Sequence, residues 1–203
     1  MGKTDSQNHG RVALYRRGLQ RNRFGKIKGM LNFDHFGFLA PFYERLIKPK
    51  NPEFLSDLLD LPVDGTLLDA GGGTGRLAQF LVGKAKRVVV ADLSCQMLAE
   101  AKGKDQIYGV CTPTESLPFS DGAFARIMMV DALHHVINQQ ETINEMWRLL
   151  VPGGLIVIEE PDIRSFGVKL IAAGEKLLLM RSHFLSTDQI SKLFSFKDAV
   201  VDV

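Results

Sequence analysis

The stretch Thr66-Leu67-Leu68-Asp69-Ala70-Gly71-Gly72-Gly73-Thr74-Gly75-Arg76 constrains the fold of this chain more than any other. Thr66 to Ala70 is a short apolar run suited to a buried strand. Consecutive glycines end it, and glycine accepts a positive φ and near-contact with a ligand without steric cost. Gly75 to Val82 then carries Leu77, Phe80 and Leu81 at helical spacing, which predicts a helix opening from the glycine turn. A second apolar run, Arg87 to Ala91, ends in Asp92, about 20 residues beyond the first strand, where a carboxylate can accept both hydroxyl hydrogens of a ribose. Strand, glycine turn, helix, strand and terminal acid predict an α/β, Rossmann-like, doubly wound and mostly parallel sheet that binds an adenosine-containing cofactor.

A nicotinamide dinucleotide requires G-x-G-x-x-G, whose last glycine lets the helix pack beneath a pyrophosphate. Here Gly71, Gly73 and Gly75 give G-x-G-x-G, with Asp69 two residues ahead. That pattern resembles motif I of the class I S-adenosylmethionine (SAM) dependent methyltransferases. Further stretches resemble the same family in the same order. Asp92-Leu93-Ser94-Cys95-Gln96-Met97-Leu98 is similar to its D-x-S-x-x-M-L, and Thr114 to Phe124 to its A-E-x-L-P-F-x-D-x-x-F loop. Val130-Asp131-Ala132-Leu133-His134-His135-Val136 resembles motif IV, and Trp147 to Gly154 the turn into strand five. The chain is identified with the methyltransferase type 11 group, which includes the ubiquinone and menaquinone biosynthesis methyltransferases.

The resemblance implies SAM as cofactor, S-adenosylhomocysteine as product, and no metal. It implies a cofactor site of Asp69, Ala70, Gly71, Gly73, Gly75, Asp92, Leu93, Thr114, Glu115, Val130 and Asp131, in which glycine backbone lies along the methionine part and Asp92 holds the ribose. The family often has Asp-Ala ahead of the L-P-F loop, at the adenine. This chain has Pro113-Thr114, and proline supplies neither a carboxylate nor an N–H. The adenine contact then falls to Thr114, Thr112 or water.

At 203 residues and 45% hydrophobic, the chain has one domain's length and enough apolar material for a sizeable core. No apolar run approaches a membrane span and no secretory signal is present. Cys95 and Cys111 lack C-x-x-C spacing, so neither a disulfide nor a metal site is expected, and a reducing cytoplasm is the default. Residues 1–30 hold eight basic residues against Asp5 alone, although the whole chain carries only +2. Residues 1–29 accordingly read as a basic, flexible arm, either simply solvated or touching an acidic surface such as lipid headgroups.

Residues 30–203 read as one methyltransferase domain: a helical lid at 30–64, a Rossmann core at 65–160, and substrate-side helices with a last strand at 161–203. Met30 to Ile47 is aromatic, and by resemblance this region closes over the methyl-transfer site, with Tyr43 the candidate to cover the cofactor. Ser56 to Leu61 reads as the end of a helix before the first strand. Beyond strand five (Leu155 to Glu159), helices are expected at Gly167 to Met180 and Ser186 to Phe194, the latter capped by Ser186 or Thr187. Met180, His183 and Phe184 are the candidate substrate-facing residues, each equally suited to core packing. Ala199 to Val203 reads as the sixth strand. The family's antiparallel seventh strand has no sequence left to form it, so the C-terminal strand pair is expected to be incomplete or completed by another subunit, as in a homodimer.

Methyl transfer is an in-line displacement, for which alignment and exclusion of water matter most. A base is needed only where the acceptor must lose a proton. His134 and His135 follow the fourth strand of the core at the carboxyl edge, and either could serve as general base. The D/N/S-P-P-Y/F tetrapeptide of DNA amino-methylating enzymes is absent, which argues against sequence-specific nucleic acid. The function expected is SAM-dependent methylation, at carbon or oxygen, of a small quinone- or lipid-like acceptor. The alternatives are a non-catalytic SAM-binding module and an NAD(P)-dependent oxidoreductase.

Overall fold

The structure is a computed structural model and describes residues 11–17, 52–101, 104–160 and 183–202. Tyr43, Met180 and the segments 30–47 and 167–180 lie outside the described residues. In chain order the elements are β1 (Arg11–Arg17), α1 (Pro52–Leu58), β2 (Val63–Ala70), β3 (Ala85–Asp92), α2 (Cys95–Ala101), β4 (Ile107–Cys111), β5 (Phe124–Val130), α3 (Gln139–Leu149), β6 (Leu150–Glu160), α4 (Thr187–Leu193) and β7 (Ala199–Asp202). They form one sheet ordered β4-β3-β2-β5-β6-β1-β7. From β4 to β6 every neighbouring pair is parallel. Strand order reverses between β2 and β5, and that switch point opens a crevice at the strands' carboxyl ends, where such sheets bind ligands.

Alternation along the strands divides the core between the two faces. Leu67, Val88, Val90, Met128 and Val157 pack on one side with Leu55, Leu59, Leu81 and Leu98. Leu68, Val89, Ile127, Met129, Ile156 and Ile158 pack on the other with Ile143, Met146 and Trp147 of α3. Burial on both faces explains why these strands read as continuous apolar runs. α3 starts at Asn138, whose side chain accepts from the Glu141 N–H, and α4 starts at Ser186 in a full capping box with Gln189.

Four expectations are corrected. Arg11–Arg17 is not part of a flexible arm: it is a strand antiparallel to both β6 and β7. Counting charge concealed it, because Val12-Ala13-Leu14-Tyr15 is a short strand-forming core between arginines. The antiparallel strand beside β6 therefore comes from the N-terminal part of the chain, and the strand pair expected to be incomplete is complete. The helix predicted over Gly75 to Val82 is a series of turns with a 3-10 segment at Ala78–Phe80. Gly75 at its start has φ +68° and Gly83 just beyond its end has φ +82°, so left-handed backbone bounds the segment at both ends. α1 lies earlier than read, at Pro52–Leu58.

The fourth correction is chemical. Cys95 and Cys111 form a disulfide, with Cα atoms 5.3 Å apart. Sequence spacing gave no sign of it, because β3 and β4 become neighbours only in the folded sheet. The cysteines thus give no argument for a reducing compartment. Among the described residues no helix is long and apolar enough to cross a membrane.

Removing residues 1–17 should unpair the β1-facing edge of β6. Hydrogen exchange of the Leu155–Glu160 amides is expected to accelerate by at least about tenfold on that deletion. Unchanged protection would mean that β1 contributes nothing to the sheet.

Candidate functional site

The glycine turn is held against β3. Gly71 N–H donates to the Ala91 carbonyl at 2.7 Å, and Gly73 N–H donates to Asp92 Oδ2 at 2.8 Å. Gly71 has φ +73°, and a Cβ there would sit 2.7 Å from the Ala132 Cβ. Gly72 is required for a different reason: its Cβ would fall 2.4 Å from the Asp69 carboxyl carbon. The turn is therefore wrapped closely over the Asp69 side chain.

Asp69 is 2% exposed, and among the described residues its Oδ2 has no hydrogen-bond partner. Burial, reinforced by the Asp92 charge and opposed by Arg76, pushes its pKa up to about 7. Folded Asp69 thus binds a proton more tightly than unfolded Asp69, so its contribution to stability falls as pH rises from 3.8 to about 7. A buried carboxylate oxygen without a donor is costly, and a ligand ammonium is the kind of group that would satisfy it. Asp92, half-buried, also accepts from Ser94 N–H at 2.8 Å through Oδ1. The two backbone donors, one on each carboxylate oxygen, orient Asp92 at the end of β3. The close backbone, the orphaned Asp69 oxygen and Asp92 together fit the amino acid tail and ribose of SAM.

Across the switch point, Asp131 follows β5 at φ +52°, a left-handed conformation unusual outside glycine, with its N–H donating to the Glu159 carbonyl. Glu160, at the end of β6 and 6% exposed, holds the next three residues. Its Oε1 accepts from Ala132 N–H at 2.9 Å and Leu133 N–H at 2.7 Å, while Oε2 meets His134 Nδ1 at 2.5 Å. Phe184 stacks on the His134 ring with centroids 4.3 Å apart, and His183 N–H donates to the His134 carbonyl at 2.7 Å. The His135 ring lies 3.9 Å from the His134 ring. Burial, followed by the neighbouring His134, lowers the His135 pKa to about 3. His135 is therefore neutral at any ordinary pH and a weak proton acceptor.

Thr114 and Glu115 are engaged within the fold. The Thr114 hydroxyl pairs with that of Thr142 at 3.1 Å in the core, and Glu115 Oε1 accepts from Ile137 and Asn138 N–H groups. The Thr112 hydroxyl donates to the Ser116 carbonyl at 2.8 Å. Glu145 and Arg148 pin the rest of that loop. Glu145 accepts from Leu117 N–H, and Arg148 donates to the Phe119 and Leu117 carbonyls and to Asp121. Ala70 is buried at the end of β2, Leu93 is 61% exposed, and Val130 is half-buried at the end of β5.

The structure thus brings Asp69, Gly71, Gly73, Gly75 and Asp92 into one turn, and His134, His135, His183 and Phe184 into one cluster. Sequence reasoning missed Glu160. The signal was present, because Glu160 ends the Leu155-Ile156-Val157-Ile158-Glu159 run as Asp92 ends its own strand. Among the described residues no group of acidic, histidine and cysteine side chains is arranged to hold a metal.

A parallel sheet with this switch point, a glycine turn after its first parallel strand and an acid ending the next defines the fold as that of the class I methyltransferases. Residues 68–158 match the family model described as a methyltransferase domain. The ubiquinone/menaquinone biosynthesis C-methyltransferase UbiE of Hahella chejuensis is 32% identical over 117 residues, 53% of this chain and 47% of that protein. A SAM-dependent methyltransferase of Thermotoga maritima superposes with TM-score 0.65 at 25% identity, covering 78% of this chain and 76% of its own. Geranyl diphosphate C-methyltransferase of Streptomyces coelicolor, solved with Mg2+, geranyl diphosphate and S-adenosylhomocysteine, has TM-score 0.59 at 22% identity, covering 71% and 56%. The chain spans about half the length of the curated relatives it matches.

Glu160→Ala leaves two backbone N–H groups and His134 without their acceptor. It is expected to destabilise the protein by about 3 kcal/mol in urea unfolding. Glu160→Gln keeps a carbonyl oxygen for the two N–H groups and should cost clearly less. Equal costs would remove the loop-anchoring role.

Proposed function

We propose that this protein transfers a methyl group from SAM to carbon or oxygen of a small, hydrophobic, quinone- or lipid-like acceptor. The observation that carries the reading is the buried, partnerless Asp69 Oδ2 beneath a glycine turn too close-packed for any side chain. SAM, when bound, supplies an electrophilic methyl group on a sulfonium. Asp92 accepts the ribose hydroxyls, Asp69 faces the amino group, and the backbone of Gly71, Gly73 and Gly75 lies against the methionine part. Val130 and Asp131 line the other side of the crevice.

His134, His135, His183 and Phe184 form the acceptor side. Where the acceptor must lose a proton, His134 is the member of the pair whose ring is oriented for it, by Glu160 Oε2 at its Nδ1. His135, neutral throughout, aligns the acceptor. This arrangement suits an acceptor that is already nucleophilic, such as an ionised phenol or a ring carbon conjugated to one. The UbiE relative is named for carbon methylation and the Streptomyces neighbour was solved with an isoprenoid diphosphate, which supports a hydrophobic carbon acceptor. A cofactor-binding module without transfer remains the second reading, drawn from Pro113 at the expected adenine contact. Cofactor binding with no turnover in a screen of cell extract with radiolabelled SAM would favour it.

Calorimetry should detect both SAM and S-adenosylhomocysteine, and binding of neither below millimolar concentration would overturn the reading. Asp92→Ala should weaken S-adenosylhomocysteine by about 1.5 to 3 kcal/mol through loss of charge-assisted bonds. Unchanged affinity would place the ribose elsewhere.

Binding should also be linked to protons. Asp69, with a folded pKa of about 7, is largely neutral below that pH. A ligand ammonium favours its ionised form, so binding should release up to about half a proton at pH 7, rising toward one near pH 6. Affinity should weaken as pH falls below 7, and weaken again above about 8, where an α-amino group loses its charge. Calorimetry in buffers of different ionisation enthalpy reads the proton directly. Asp69→Asn should abolish its release, and the same release from that variant would assign it to another group.

A further inference from the structure

Cys95 opens α2, Cys111 closes β4, and both are exposed to solvent although joined as a disulfide. The bridge stands beside the acid at the end of β3. Asp92 and Cys111 are register partners, and Thr112 N–H donates to the Asp92 carbonyl at 2.9 Å. On the other side, Leu93 and Ser94 lead from Asp92 to Cys95, with Ser94 N–H on the Asp92 carboxylate. The sulfurs therefore tie together the two segments, Leu93–Ser94 and Thr112–Pro113, that flank Asp92. They belong to neither apolar cluster that packs the sheet faces. Opening the bridge thus removes a clamp at the site without removing core. Cys111 Sγ also lies 3.6 Å from the Leu93 carbonyl oxygen. A disulfide sulfur has no proton to give that oxygen, whereas the thiol does, so the two redox states hold the Leu93–Ser94 segment differently.

We propose that the Cys95–Cys111 disulfide is a thiol-exchange site for a dithiol reductant, and that its redox state sets how tightly the Asp92 edge holds an adenosine-type ligand. The ligand part rests on the cofactor reading given above. A thiolate of the dithiol attacks one exposed sulfur, forming a mixed disulfide and releasing the other cysteine as a thiolate. The second thiol of the reductant then displaces the first cysteine. The protein disulfide gains two electrons and two protons and becomes two thiols, and the dithiol loses the same and becomes a cyclic disulfide. Closed, the bridge holds the Leu93–Ser94 segment in place before a ligand arrives. Open, that segment must be ordered on binding, which lowers affinity.

The test treats the full chain with dithiothreitol under native conditions, counts thiols, and measures S-adenosylhomocysteine binding by calorimetry in each state. Both cysteines should become titratable while circular dichroism stays folded. The dissociation constant should rise by about fivefold or more on reduction, the size expected when one or two side chains lose preorganisation. Reoxidation should restore it. The Cys95→Ser/Cys111→Ser protein should match the reduced form and ignore the reductant. Thiols that appear only in denaturant would overturn the exchange site. Equal affinity in both states would overturn the coupling while leaving the cofactor reading intact. No binding in either state would overturn both.

Discussion

The site depends on how the glycine turn is closed onto the second parallel strand. The Gly71 N–H meets a main-chain carbonyl of β3 and the Gly73 N–H meets the Asp92 carboxylate. That pairing folds Gly72 over Asp69 so closely that no side chain fits between them. Asp69 is sealed from water, and desolvation keeps its proton on to about pH 7. Asp92 is fixed by two backbone donors rather than left to solvent. One local closure thus produces both a buried carboxyl without a donor among the described residues and an oriented, half-buried one, the two acceptors that a charged amino acid tail and a ribose require.

The opposite wall is built by the same device. Glu160 ends β6 as Asp92 ends β3, and its carboxylate gathers two N–H groups and a histidine from the segment after β5. In both places an apolar run, Val88 to Ala91 in β3 and Leu155 to Ile158 in β6, leads into an acid at the carboxyl edge. The acid is tolerated there because backbone donors from a neighbouring loop satisfy it. β1 supports this wall from behind, since it pairs along β6 from Leu155 to Glu160. The N-terminal strand is thus a structural part of the half of the sheet that carries Glu160 and the histidine cluster.

Much of this was legible in the residues, for identifiable reasons. β2, β3, β5 and β6 are buried on both faces, so their apolar runs stand out, and Asp69, Asp92 and the glycines have no role in packing that would disguise them. Ser186 was readable as a cap because the capping box is local. What escaped was non-local or masked by charge. The Cys95–Cys111 bridge exists because β3 and β4 are neighbours, which spacing along the chain does not reveal. β1 was hidden by its flanking arginines, and Glu160 by its adjacency to Glu159, which reads as a solvated pair. The Gly75 to Val82 helix failed because periodicity counts residues and ignores the glycines that bound it. The base role of His135 was undercut by burial against His134, which lowers its pKa and is invisible in sequence.

The central claim is that one turn and one acid hold the two ends of a SAM-type cofactor. A crystal structure of the protein with S-adenosylhomocysteine tests it most directly. The account predicts both ribose hydroxyls on the Asp92 carboxylate and the amino group on the Asp69 side of the glycine turn. A ligand seated away from Asp92, or one whose amino group finds its partners elsewhere, would contradict it.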